Sequence, residues 1–480
     1  MTAPTAASGR VLATLNQDGS RRWIRPKPSS GPWLIRRRAV AYGLIVAFLA
    51  FPHLSWNGKP WMLLDLPQRQ FTFFGTTFLP TDTLLLMLLF VSVLIGIFLL
   101  TALFGRVWCG WACPQTVWME FIFRPLERLI EGGWNASRVL DRDKRWFAPR
   151  RMFTYAVYLV IAAVLGNTFL AYFVSPDLLV RWMSGSPGEH PVAFLVMAGT
   201  TALVFLDFTW FREQTCLVAC PYGRWQSALL DKQSLIIAYD EKRGEPRGKG
   251  AGARARARTE LGDCIDCGAC VLTCPTGIDI RDGLQMECVH CTQCADACDD
   301  IMVKVGKPKG LIRYTSQDAL EGKAPHILRV RTVLYPLAFT LFFGAFVLAL
   351  ATRPTADVTL LGAVGAPFTR EADGRVVNQV RLRITNRTGA PQRYTIAFLD
   401  KPGALLIAPE NPVRVQPGAT VTTSVFVMQP TERFSGGERA VRFRLSDGAG
   451  FIEEFPWRLL GPSVDEPAVR EPDQTEQGDN

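Results

Sequence analysis

Apolar segments of near-spanning length constrain this chain more than any other feature. Five stand out: Ala39–Leu54, Thr83–Phe104, Met152–Val174, Val192–Phe211 and Val333–Ala351. Four reach the roughly 18 to 25 residues that cross a bilayer as a helix. The first is shorter, with Pro52 near its end, and Trp56 extends it into the interface. The expectation is a membrane domain with helices at 39–56, 83–104, 152–174 and 192–211, and a fifth at 333–351.

Orientation follows from the Lys and Arg of the connecting segments. Segments 1–38, 105–151 and 212–331 hold eight, nine and eighteen, whereas 55–82 holds only Lys59 and Arg69 and 175–191 only Arg181. The alternation places the N-terminus in the cytoplasm and residues 352–480 on the far side. Some 38 polar, basic residues precede the first apolar run with no cleavage-site pattern, so 1–38 reads as a basic cytoplasmic tail and not as a cleaved signal. The net charge of +10 is accounted for by these loops. GAGARARAR at 250–258 reads as a solvated linker, and no aromatic-interleaved basic surface points to nucleic acid.

All twelve cysteines fall between 109 and 298, and none lies in the far-side segment where disulfides would persist. Metal or redox chemistry is therefore expected. CIDCGACVLTCP supplies Cys264, Cys267, Cys270 and Cys274, and CVHCTQCADACD supplies Cys288, Cys291, Cys294 and Cys298. Each run has the C-x2-C-x2-C-x3-C spacing of two-cluster ferredoxins, in which three cysteines wrap one cluster and the fourth reaches the other. The spacing assigns Cys264, Cys267, Cys270 and Cys298 to one [4Fe–4S] cluster and Cys288, Cys291, Cys294 and Cys274 to the second. Structural zinc also uses C-x2-C pairs, but not this triple spacing twice. Asp299 stands where the first run has Pro275. The ferredoxin-like domain is expected at about 260–305, within a cytoplasmic region 212–331.

FGRVWCGWACPQT (104–116) and REQTCLVACPYGR (212–224) each carry Cys-x-x-Ala-Cys-Pro where an apolar segment ends. On a helix, Cys109/Cys113 and Cys216/Cys220 would each project from one face, with Pro114 and Pro221 ending the turn. Three readings compete: buried thiols acting as small hydrophobes, a thiolate site for Cu(I) or a further iron–sulfur centre, and a dithiol couple favoured by Arg106 and Arg212. Asp207, inside the fourth span, is either functional or an interfacial partner of Arg212. His53, His290 and the ten Met read as packing or surface residues.

After the fifth span, 376–386, 393–400, 421–430, 440–447 and 451–460 alternate like strands of an immunoglobulin-type sandwich over 352–461. Asn386-Arg-Thr matches a glycosylation pattern too short to carry weight. The Pro- and acid-rich 462–480 reads as a disordered tail.

Taken together, the two membrane Cys-Pro motifs, RGEPRG at 243–248, the twin cysteine runs and the terminal sandwich resemble the FixG/CcoG/RdxA family of cytochrome c oxidase accessory proteins. The resemblance runs from the first span to about residue 460. It implies a bacterial inner-membrane protein that assists assembly of a cbb3-type oxidase together with copper-trafficking proteins. It also implies cupric reductase activity, Cu(II) to Cu(I), with Cys109, Cys113, Cys216 and Cys220 as the redox or copper thiols. A polyferredoxin-type conduit from quinol to a periplasmic reductase is the rival, and a redox-sensing assembly scaffold a third reading. The electron donor is not legible.

Overall fold

The computed structural model describes residues 13–462 except 17, 19, 57–58, 68, 80–81, 249–260, 325–328 and 401–402. The expected linker at 250–258 and all but the first residue of the expected tail lie outside the described residues. The chain divides into two compact units, Met1–Leu348 and Ala349–Asn480.

Among the described residues, four helices are long and apolar enough to cross a membrane: Thr83–Phe104, Pro149–Ala171, Pro191–Phe211 and Val330–Ala351. The remaining expected span differs. Its helix runs Pro32–Ala50, starting on a proline and ending before the turn Phe51–His53. It therefore takes in Arg36, Arg37 and Arg38 and is not apolar enough to join the other four. Proline opens six of the described helices, at Pro32, Pro114, Pro149, Pro176, Pro191 and Pro221. Its fixed φ suits a first helical residue, whose N–H has no intrahelical partner anyway. Between the first two helices, where no elements were expected, Met62–Asp65, Gln70–Phe73 and Thr76–Phe78 form a small antiparallel sheet.

The ferredoxin-like part closes on a two-stranded antiparallel pair, Ile236–Tyr239 with Ile312–Thr315. Between them lie the cysteine runs and the helices Ala269–Leu272 and Gln293–Lys304. Asp296 of the second helix reaches out of this part: its carboxylate accepts from the backbone N–H groups of Trp33 (3.2 Å) and Leu34 (2.8 Å). The first turn of Pro32–Ala50 is thereby capped by a residue standing between two cysteines.

Residues 20–31, expected within a tail, pack against the rest of the first unit. Lys27 N–H donates to Leu272 O (2.8 Å), Thr273 Oγ1 to Lys27 O (2.8 Å) and Trp134 Nε1 to Arg25 O (2.7 Å). Carboxylates hold this strap in place. Arg25 pairs with Asp141 (2.6 Å) and Glu127, Arg212 with Glu127 (3.0 Å), Arg124 with Glu213 (3.2 Å) and Glu120, and Arg151 with Glu131 (3.0 Å) and Asp141 (2.7 Å). Arginines that the sequence presents as topological charge are thus partly a buried ion network.

The second unit is a sandwich. One sheet orders Leu405–Ile407, Thr420–Pro430, Arg375–Asn386 and Ala356–Leu361; the other orders Val413–Val415, Gln392–Phe398, Glu438–Ser446 and Ile452–Leu460. All neighbours are antiparallel. Alternate residues Val380, Leu382 and Ile384 face Val425, Val427, Phe443 and Leu445 in one core. The five expected strands are present, and four shorter ones join them: Ala356–Leu361, Thr369–Arg370, Leu405–Ile407 and Val413–Val415. Asn386 is buried, with its side-chain amide donating to Ala390 O and Val415 O, so it braces a turn and offers no glycan site.

Glu127 accepts both terminal nitrogens of Arg212 and also faces Arg25, and these charges hold its carboxyl well below the usual range despite burial. Removing one partner of a buried pair leaves the other charges uncompensated. Glu127→Gln should therefore cost about 3–5 kcal/mol, read as a lowered Tm of the detergent-solubilised chain. A depressed carboxyl contributes stability above its unfolded pKa and loses it as pH falls below, so the native chain should weaken beneath about pH 4.5. The variant should lack that component of acid sensitivity.

Candidate redox site

The two cysteine runs fold as repeats of one backbone design. Asp266 and His290 take φ of +52° and +55°, and Gly268 and Thr292 take +66° and +59°. These are the third and fifth residues of CIDCGAC and CVHCTQC, so left-handed turns recur at the same steps and curl each run inward. A β-branched residue is rare there; Thr292 Oγ1 donates to Cys291 O at 2.6 Å.

Cys298 lies within electrostatic reach of Cys270, Cys267 and Cys264. Cys294 does so with Cys291, Cys288 and Cys274, and then with Cys270. A small cavity of about 20 Å³ is lined by Cys274, Cys288, Cys291 and Cys294, with Cys270 on its wall. Among the described residues, no three His, Cys, Asp or Glu side chains gather tightly enough to share a single ion. Four thiols spaced around a void suit a polynuclear cluster, which offers a separate iron to each. Burial pushes the Cys288 and Cys298 thiols up to about 12 and Cys291 to about 11. Thiolates form there together with the metal they bind.

The membrane-edge motifs are a second pair of repeats. Span Thr83–Phe104 ends at Gly105 (φ 61°, ψ −136°), and the span ending at Phe211 breaks at Arg212 (φ 55°, ψ −122°). Cys109 and Cys216 follow on short helical turns, Val107–Trp111 and Thr215–Ala219. The second cysteine of each pair is extended, at ψ 127° for Cys113 and 109° for Cys220, and caps a helix that opens on its proline. The expectation that each pair shares one helical face is corrected here. Proline bars its predecessor from the α region, so the chain turns at the second cysteine. The turn brings the pairs together: Cys216 is within electrostatic reach of Cys113, Cys109 and Cys220, and burial raises the thiols of Cys109, Cys113 and Cys216.

Of the two arginines expected beside these thiols, only Arg106 faces them, with Nη2 4.0 Å from Cys109 Sγ. Arg212 is held by Glu127, and its strained φ is fixed by that grip. Among the described residues, Asp207 accordingly pairs with no arginine side chain, and it accepts from Gln115 Nε2 (3.3 Å) and Thr215 Oγ1.

The membrane-edge and ferredoxin-like parts meet beside Cys109. Cys109 packs against Val289 and Cys291. Arg106 N–H donates to His290 Nδ1 (3.2 Å), and its guanidinium donates to Met286 O. Tyr314 OH donates to His290 O (3.1 Å) and accepts from Trp111 Nε1 (3.0 Å). Burial, with Arg106 beside it, holds the His290 imidazole down to about 3, so it is a neutral acceptor. His290 was expected at the surface or in packing, and is 1% exposed at this junction. The only signal in sequence was its place between Cys288 and Cys291.

Three family models match. Residues 211–317 match a 4Fe-4S dicluster domain, 85–132 a 4Fe-4S binding domain, and 346–462 the IG-like fold at the C-terminal of FixG. Protein RdxA of Cereibacter sphaeroides is 35% identical over 441 residues, covering 87% of this chain and 91% of that one. The chain belongs to the FixG/RdxA family. Protein RdxB of the same organism is 35% identical, covering 89% of this chain and 92% of its own length. The nitrogen fixation protein FixG of Rhizobium meliloti is 30% identical, covering 95% and 93%. Family membership and the matched domains make this an iron–sulfur protein with apolar helices of spanning length.

Gly110 fixes the junction. A Cβ there would lie 2.5 Å from Val289 O and 2.8 Å from His290 O, both backbone atoms. Gly110→Ala should force Cys109 away from Cys291 and lower the Tm by several degrees. Native-like thermal stability with unchanged thiol accessibility at Cys109 would show that the two backbones are not in contact.

Proposed function

We propose that this chain is a membrane iron–sulfur redox protein that serves assembly of a cbb3-type cytochrome c oxidase by reducing Cu(II) to Cu(I). The observation that carries the reading is the succession of thiol sets, from exposed Cys267 through the lined cavity to Cys109 and its three companions. Two [4Fe–4S] clusters, bound by Cys264, Cys267, Cys270 and Cys298 and by Cys274, Cys288, Cys291 and Cys294, would supply single-electron carriers. Copper is the substrate: one electron converts Cu(II) to Cu(I), and four soft sulfur ligands favour the Cu(I) product. Arg106 assists thiolate formation at Cys109, where burial opposes it.

The Lys and Arg distribution supports a cytoplasmic N-terminus and cytoplasmic clusters, with the sandwich in the periplasm of a bacterial inner membrane. There it would meet oxidase-assembly and copper-trafficking partners. The Pro32–Ala50 helix serves as the fifth span, with its arginines on the cytoplasmic side.

The match of residues 85–132 to a 4Fe-4S binding domain favours a second reading, in which the membrane-edge thiols hold a further cluster and the chain is an electron conduit. Two clusters give about eight iron atoms per chain and three give about twelve. The function itself is tested by mixing chemically reduced protein with Cu(II) and a Cu(I)-specific chelator without oxygen. Cu(I) should appear in step with cluster reoxidation, and Cys109→Ser with Cys216→Ser should abolish it while iron content at the eight ferredoxin cysteines stays. Unchanged reduction in that variant would remove the membrane-edge thiols from the reaction.

Charge around the thiols sets a direction for electrons. Arg37 is fully buried, its Nε donates to Gly110 O (3.0 Å), and its Nη1 and Nη2 have no hydrogen-bond partner among the described residues. It faces Cys291, as Arg106 faces Cys288. Arg281, beside Cys270, is instead paired with Asp279 and Asp266, both at 2.6 Å. Positive charge favours the reduced, more negative state of a centre. Arg37→Gln should lower the midpoint potential of the centre at Cys291 and leave that at Cys270 nearly fixed, as read by redox titration with electron paramagnetic resonance.

A further inference from the structure

We propose that a membrane quinol binds in an apolar cavity between the Thr83–Phe104 and Val330–Ala351 helices and is the electron donor to the membrane-edge centre. The inference rests on the reading above that Cys109, Cys113, Cys216 and Cys220 form a redox site. The cavity measures about 530 Å³, within the range of small-molecule sites. Leu89 and Val93 line it on one helix and Phe339 and Phe343 on the other, while Trp108 and Tyr222 stand at the end nearest the thiols.

That end is what separates this cavity from a gap between lipid-facing helices. Cys109 Sγ donates to Gln226 Oε1 at 3.1 Å, and Gln226 Nε2 donates to Tyr222 OH at 2.7 Å. Two hydrogen bonds therefore join a membrane-edge thiol to a hydroxyl on the cavity wall. The Tyr222 hydroxyl is hydrogen-bonded with Thr101 in this structure, but a hydroxyl hydrogen turns to suit its acceptor, so Tyr222 can donate to a ring oxygen instead. An acyl chain would use neither the hydroxyl nor the aromatic end. A quinol uses all of it: a planar ring between aromatic side chains, oxygen atoms at Tyr222, and an isoprenoid tail along Leu89 and Val93.

The electron count fits as well. Quinol becomes quinone by losing two electrons and two protons, whereas each copper or iron–sulfur centre these thiols would hold takes one electron. Two such sites in contact, at Cys109 and at Cys291, accept both. The protons leave to water beside Tyr222, which is half-exposed. With Cu(II) as final acceptor the balance is QH2 + 2 Cu(II) → Q + 2 Cu(I) + 2 H+. The donor and the line of one-electron sites then have complementary roles.

The test uses the full chain in detergent, freed of endogenous quinone, with ubiquinone-1 as probe and tryptophan fluorescence as readout. Saturable quenching is expected, and Trp108→Phe should remove the quenched component. Tyr222→Phe deletes one hydrogen bond and should weaken binding about tenfold. Gly96, whose added Cβ would stand 3.4 Å from the Phe339 ring, gives a second variant: Gly96→Leu should fill the cavity and abolish saturation. Cluster absorption reports that both variants are folded. Quenching that never saturates, that is equal in both variants, or that a lysophospholipid displaces as well as a quinone does would overturn the proposal. Binding is read without copper, so it should persist in the Cys109→Ser/Cys216→Ser chain. A failed quinol site is thereby distinguished from a failed copper site.

Discussion

The approach of the Gly110 turn to the Val289–His290 backbone is the contact on which the first unit depends. It is a backbone-to-backbone packing, so a longer side chain has nowhere to go. Everything nearby is arranged to hold it: Arg106 bridges to His290 and Met286, Arg37 donates to Gly110 O, and Tyr314 ties His290 to Trp111. The first helix enters the same assembly through Trp33, whose ring meets those of Trp111 (6.2 Å) and Tyr314 (5.2 Å) edge-on. Four separated stretches of sequence thus converge on one turn beside Cys109. Electron transfer between thiol sites needs short separations, and a junction with no room for a Cβ provides one.

A second constraint acts through charge. Buried arginines are costly unless paired and hydrogen-bonded, and most of those in the first unit are. Arg25, Arg124, Arg151 and Arg212 are matched by five carboxylates drawn from segments 120–141 and 213. Arg37 is matched at a distance, by Glu120, which Arg124 already engages, and by Asp296, which caps the first helix. The network secures the strap at 21–25 and the break at Arg212, so it sets where the second membrane-edge motif begins. Arg37, whose Nη1 and Nη2 have no hydrogen-bond partner among the described residues, lies where an added electron would be welcome.

Much of this was legible in sequence for a physical reason. Spanning helices announce themselves by length and hydropathy, and the sandwich strands by alternation, as at Val380, Leu382 and Ile384. Cysteine spacing carried the two ferredoxin sets, because a ligand run wound around a cluster must place its thiols at fixed steps. What escaped was everything decided by tertiary contact. Pro32 reads as part of a polar leader until Asp296, far away in sequence, caps the turn it opens. The pairing of Arg212 with Glu127 and not with Asp207 depends on how two helices face one another. His290 looked isolated because no other histidine is near it in sequence, yet its role is to accept a backbone N–H from another segment.

The twofold repetition within each set of motifs explains why both halves of the site resist simple helix rules. Gly105 and Arg212 occupy the same unusual backbone region, one by lacking a side chain and the other under the grip of Glu127. Glycine adopts such a conformation at little cost, whereas arginine must be held there. The two motifs therefore reach one geometry by different means: the first is local, and the second depends on a buried carboxylate on another helix. A site whose two halves are secured so differently can be perturbed from one side at a time, through Glu127 without touching the contact of Cys109 with Cys291. That asymmetry makes the membrane-edge thiols separable from the ferredoxin sets in experiment, even though the fold packs them against each other.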